Sequence, residues 1–160
     1  MTQEEKQLLL ENICIRLIYG VKISKVVEDY ISEPKTPKSI NVNGCIVIEN
    51  EPFDDGTPDI DYWHISEVRP YLRPLSSMTE EEEEEFNTIW EGGFSKALDL
   101  QIETDLKSIE NFSFEGNYDN VRYLEIITAF NIIQWLLSKH FDLGLIEKGL
   151  ALEAPEGMYK

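Results

Sequence analysis

Histidine and cysteine are scarce in this chain: two of each among 160 residues, His64, His140, Cys14 and Cys45. No Cys-x-x-Cys spacing occurs, so a thiolate zinc site is unsupported, and the cysteines read as reduced thiols of a reducing compartment rather than a disulfide. No His-Glu-x-x-His string occurs either. Glu67 follows His64 by three residues at a strand end, where the two side chains point to opposite faces. The acidic turn around Asp54, Asp55, Asp59 and Asp61 fails the register of a calcium loop, because Phe53 and Tyr62 fall where oxygen ligands are needed. No metal and no cofactor is expected.

The nucleotide-cradling strings Gly-x-x-x-x-Gly-Lys and Gly-x-Gly-x-x-Gly are missing, as is the Gly-x-Ser-x-Gly elbow of serine hydrolases. Ser76 and Ser77 read as a turn before a helix. Carboxylate pairs are frequent, but at this acidity they arise by chance and say nothing of general acid/base work. No catalytic constellation emerges, and the chain reads as non-enzymatic. A small divalent-metal enzyme with converging carboxylates is the alternative from another class.

Long hydrophobic runs are also lacking. The longest uncharged apolar stretch, Ile126 to Ser138, falls short of the ~20 residues that span a bilayer. The first residues, MTQEEKQLLLENI, place acids before the apolar run, so no secretory leader is expected and the cytoplasm is the expected compartment. Cations are outnumbered, 14 Lys and Arg against 31 Asp and Glu, a net charge of −17. The imbalance is concentrated: Glu49 to Glu85 holds 13 acids and 2 bases. Such a chain does not neutralise phosphates or settle on anionic lipid. Direct nucleic-acid binding and membrane association are therefore not expected. A basic protein partner is the expected one, steered by the field. Mimicry of nucleic acid is a sharper form of the same idea. A purely solubilising surface is the plain alternative.

What is present supports one α+β domain over residues 1–160: a helix plus a small antiparallel sheet in 1–75, and a helical part in 76–160. Thr2 and Glu5 have capping-box spacing, and Leu9, Leu10, Ile13, Cys14 and Leu17 give one helical face. Strands are expected from Tyr19 to Ile23, continuing toward Val27, at Cys45–Ile48 and at Ile60–Ile65. In the last, Ile60, Tyr62 and His64 face one side and Asp61, Trp63 and Ile65 the other. An SH3-like partial barrel is among the forms open to such a sheet.

Ser66 to Phe86, SEVRPYLRPLSSMTEEEEEEF, reads as a proline-stiffened connector running into a helix capped by Thr79 and Glu82. Glutamates in that first turn complement the helix dipole. Gly92-Gly93 ends it. A helix is favoured over Phe94–Ile109, then a loop over Asn111–Asn120. Tyr123–Leu137 is an apolar helix with Tyr123, Ile126, Phe130, Ile133 and Leu137 in one stripe, suited to a core or a homo-oligomer interface. Asp142 caps a short helix to Lys148, Gly149 stops it, and Ala151–Lys160 is a tail. As partner contacts the residues of interest are Trp63, Tyr71 and Arg73, with Glu80, Glu81 and Glu84 of the acidic run, since aromatics and arginine dominate interface energetics. Trp135 belongs to the same class of anchor.

Three strings, Tyr19-Gly20-Val21-Lys22, Val68 to Glu82 and Trp135 to Tyr159, resemble a family of small uncharacterised proteins from gut Bacteroidetes genomes, their prophages and mobile elements. The resemblance covers the start, middle and C-terminal part of the chain. It implies an accessory protein of phage or mobile-element origin and carries no activity, cofactor or catalytic residue. Family members often have Tyr-Arg-Gly-Leu-Ile where this chain has Asp142-Leu143-Gly144-Leu145-Ile146, so the arginine is missing.

Overall fold

Thr2 starts the first helix, α1 (Gln3–Arg16), by the expected capping box: its hydroxyl accepts from Glu5 N–H at 3.2 Å, and the Glu5 carboxylate accepts from Thr2 N–H at 2.6 Å. The computed structural model describes residues 1–92 and 127–159. The expected helix over Phe94–Ile109 and loop over Asn111–Asn120 lie outside them. The fold is α+β. The chain divides into two compact units, Met1–Ser76 with Leu137–Lys160, and Ser77–Leu136.

In the first unit, Leu9 and Ile13 of α1 are fully buried and Cys14 is exposed. The buried face is turned from the expected one so that it also takes in Asn12 and Arg16. A 3-10 turn, Leu17–Tyr19, closes on Gly20, whose φ of 72° suits glycine. The first strand therefore begins later than expected, as β1 (Ile23–Val27), and pairs with β2 (Tyr30–Ile31) across a short turn.

The single expected sheet is two. β3 (Ser39–Ile40), β4 (Cys45–Glu49) and β5 (Ile60–His64) form an antiparallel meander. Its inner face is Ile46, Ile48 and Trp63, and Ile60, Tyr62 and His64 are outside, as the alternation predicts. The second sheet runs β2-β1-β6-β7, with β6 (Val68–Leu72) antiparallel to β1 and parallel to β7 (Leu152–Glu153).

β6 corrects the connector reading: the proline-bounded string is an inner strand. Tyr71 N–H donates to Lys22 C=O at 2.8 Å, so the nitrogen of its neighbour Pro70 points away from β1. Pairing with β7 begins only at Tyr71, so Pro70 costs the sheet no hydrogen bond. One core cluster joins Leu9 and Ile13 to Ile23, Ile46, Ile48, Trp63, Ile65 and Val68; another joins Leu72 to Leu145, Leu150 and Ala151.

The C-terminal residues read as a tail are built into this unit. Asp142 Oδ1 accepts from Leu145 N–H at 2.8 Å, yet the chain forms turns there in place of the expected short helix. Gly149 closes them with φ 66° and an N–H bonded to Ile146 C=O. Beyond β7, the Tyr159 hydroxyl donates to Tyr71 C=O at 2.8 Å and accepts from Lys22 N–H at 2.9 Å. Its ring stacks on His140 at 3.9 Å between centroids. Burial pushes the Tyr159 phenol up to about 12.

Arg16 is 0% exposed. Its guanidinium donates to Asn12 Oδ1 at 2.8 Å, Phe141 C=O at 2.7 Å and Leu137 C=O at 3.3 Å. His140, 4% exposed, has φ 60°, a left-handed conformation uncommon outside glycine. Its Nε2–H donates to Tyr19 C=O at 3.0 Å, and its buried Nδ1 has no partner. Burial, and then the Arg16 charge, lower its pKa to about 4.

Two expected outcomes follow from this packing. Tyr159→Phe leaves Lys22 N–H and Tyr71 C=O without their partner, and chemical denaturation should show a loss of about 1–3 kcal/mol. His140 stays neutral in the native state to lower pH than in the unfolded chain. Its contribution to stability is therefore complete above the unfolded value near 6.5 and is lost as pH falls toward about 4. His140→Asn, which tolerates the left-handed backbone, should flatten the decline in unfolding free energy across that window relative to the parent.

Candidate functional site

In the second unit, residues 80–92 form α2 and residues 127–138 form α3, whose last two residues belong to the first unit. Thr79 caps α2 as expected: Thr79 N–H donates to the Glu82 carboxylate at 3.0 Å, and Glu82 N–H donates to the Thr79 hydroxyl at 3.2 Å. Seven acids and no Lys or Arg lie in residues 80–92.

The six consecutive glutamates have different surroundings. Glu82 closes the cap. Glu85 accepts from Trp135 Nε1–H of α3 at 3.0 Å. Phe86 packs against the same indole, with ring centroids 5.7 Å apart at 56°, within the range of tilted aromatic pairs. Glu81, Glu84, Glu85 and Thr88 recur at helical spacing and so share one stripe of α2. With Ile89 and Trp135 they line an open groove of ≈ 520 Å³. Thr88 donates its hydroxyl to Glu84 C=O at 2.8 Å, within its own helix.

The chemistry of this groove is a carboxylate wall beside an indole and an isoleucine. Lysine and arginine present an apolar stem and a charged head, which is the complementary pattern. Glu81 repels Glu84 and Glu85 by a few tenths of a kcal/mol per pair, on the scale of like charges at these spacings. A bound cation relieves that repulsion.

Of the residues singled out in the sequence, Glu81 and Glu84 line the groove, and Glu80 is exposed in the first turn of α2. Trp63 is in the core of the first unit at 8% exposure. Tyr71 is half-buried in β6, bonded to Tyr159 through its carbonyl. Arg73 lies over the Phe141 ring, its guanidinium carbon 4.5 Å from the centroid. These three are parts of the first unit's packing. Thr88 and Ile89 were not among the residues singled out as contacts, although Thr88 falls on the spacing 81, 84, 85, 88 and Ile89 on 81, 85, 89.

Among the described residues, no three His, Cys, Asp or Glu side chains come together to hold a metal ion. No helix among them is long and apolar enough to cross a membrane. Comparison with protein-family models, with curated proteins and with solved structures gives no match for this chain.

Proposed function

We propose that this chain is a non-enzymatic acidic docking protein that captures a basic amphipathic segment of a protein partner on the α2 and α3 groove. The observation that carries this reading is the stripe Glu81, Glu84 and Glu85 set beside Ile89 and Trp135. An acidic surface that only solubilises has no need of an indole in its wall. The net charge of −17 adds long-range attraction for a cationic partner and raises the encounter rate. The role is that of an accessory protein, in keeping with the resemblance to proteins of phages and mobile elements.

Self-association through α3 is the second reading, favoured by Phe130 and Ile133, which are 59% and 48% exposed. Light scattering separates the two: a monomer at high concentration rejects it, and a dimer that persists at high salt supports it.

The docking reading is tested with a synthetic amphipathic peptide alternating Lys-rich and Leu-rich helical faces, followed by calorimetry and by Trp fluorescence in a Trp90→Phe background. Binding should weaken steeply with salt, and Glu81→Lys with Glu84→Lys should weaken it by about tenfold or more, since truncating hot-spot contacts costs ~2 kcal/mol or more. Equal binding by the charge-reversed protein overturns the reading.

A further inference from the structure

The meander of the first unit ends in an unpaired strand edge. Lys38 N–H donates to Val47 C=O and Asn41 N–H to Cys45 C=O, so Val47 and Cys45 of β4 turn their backbone groups toward β3. Their partners across β5 are Tyr62 and His64. Antiparallel pairing alternates, so Tyr62 and His64 turn their own N–H and C=O groups away from β4. Asn50 N–H donates to Asp59 C=O, which places Ile60 in the same outward phase. Ile60 and Tyr62 thus direct two N–H and two C=O groups to the free side of the sheet, and His64 adds a third N–H, its own C=O being engaged as the cap of the 3-10 turn Ile65–Glu67. β5 is the terminal strand of its sheet, and none of these outward groups bonds to any described residue.

The edge is also open. Ile60 is 41% and Tyr62 63% exposed, and His64 is exposed. Natural sheets blunt such edges with lysine, internal proline or a bulge. β5 has none of these: its register with β4 is unbroken over five residues, and its sequence is Ile-Asp-Tyr-Trp-His.

We propose that β5 accepts an extended, basic segment of another protein as an added strand. The backbone edge supplies affinity, and alternate side chains of the incoming strand rest beside Ile60, Tyr62 and Val47 on the outer face of the sheet. Charge decides the occupant. Residues 49–61 hold six acids and no Lys or Arg, and Lys38, which reaches this stretch, is paired with Glu49. Two copies joined at β5 would bring two such stretches together, whereas a strand carrying lysine or arginine on alternate positions neutralises one. This surface lies in the first unit and stands independently of the α2 groove.

The test uses the blocked peptide Lys-Val-Lys-Val-Lys-Val-Lys with the full chain. Hydrogen exchange read by NMR should show the amides of Ile60, Tyr62 and His64 exchanging freely alone and slowed about tenfold or more with saturating peptide, as new ladder bonds form. Tyr62→Pro removes an outward N–H while leaving the Trp63 and Asp61 bonds to β4 intact. It should abolish the slowing while Ile46 and Trp63 stay protected. The variant Glu81→Lys with Glu84→Lys should leave the slowing unchanged, which separates this edge from the groove. Absence of slowing at millimolar peptide overturns the proposal. So does equal binding of the Glu-Val counterpart, an unaffected Tyr62→Pro, or protection of the same amides by dimerisation without peptide.

Discussion

The first unit depends on one buried cation. Arg16 is sealed from solvent, and its burial lowers its pKa to about 10, so it keeps its charge at neutral pH. A charge in that position is tolerable only when its donors are matched. Asn12 supplies one oxygen from the preceding turn of α1; Leu137 and Phe141 supply two backbone carbonyls from the far end of the sequence. Asp142 adds attraction. The N-terminal helix and the chain beyond Leu137 are therefore held to one geometry, because displacing either strands a guanidinium in the core. His140 feels the same constraint from the other side. It sits beside this cation, stays neutral, and accepts a left-handed backbone and an unbonded Nδ1. Tyr159 stacked on its ring keeps water away.

Negative charge is placed differently in the two units. In the first, the acid-rich turn between β4 and β5 lies beside a strand edge; in the second, glutamates line a helix stripe. Each combines carboxylates with apolar or backbone features that a solubilising surface does not require. The two proposed surfaces differ in chemistry, one a side-chain stripe and the other a main-chain edge.

The elements legible in the sequence are those set by local rules. The two capping boxes depend on residues three apart, and both formed at Thr2 and Thr79. The alternation of Ile60 to Ile65 depends on strand pleating alone and put Trp63 on the face opposite Ile60, Tyr62 and His64; that Trp63 is buried there, and not a partner contact, was not legible. What escaped is non-local. Pro70 argued against an inner strand, and only the late start of β7 makes it tolerable. Asp142 has the chemistry of a helix cap, yet the turn it caps is shaped by Leu145 and Leu150 packing on Leu72. The Arg16 site joins groups 121 and 125 residues apart, beyond the reach of any periodicity. In the groove, Glu81 and Glu84 stood out by charge, but the Trp135 bond to Glu85 that sets an indole beside them spans the two helices and was invisible.

The Tyr159 contact also has a temporal side. Its hydroxyl meets the Tyr71 carbonyl across 88 residues of sequence. During synthesis at roughly 5–20 residues per second, the end of β6 beside Lys22 therefore waits about 4–18 s for the side chain that closes it. Over most of that interval Leu72 and the β6 edge lack the Leu145, Leu150 and β7 partners that cover them in the finished fold. Residues 145–159 thus decide whether the sheet around β6 becomes a finished body.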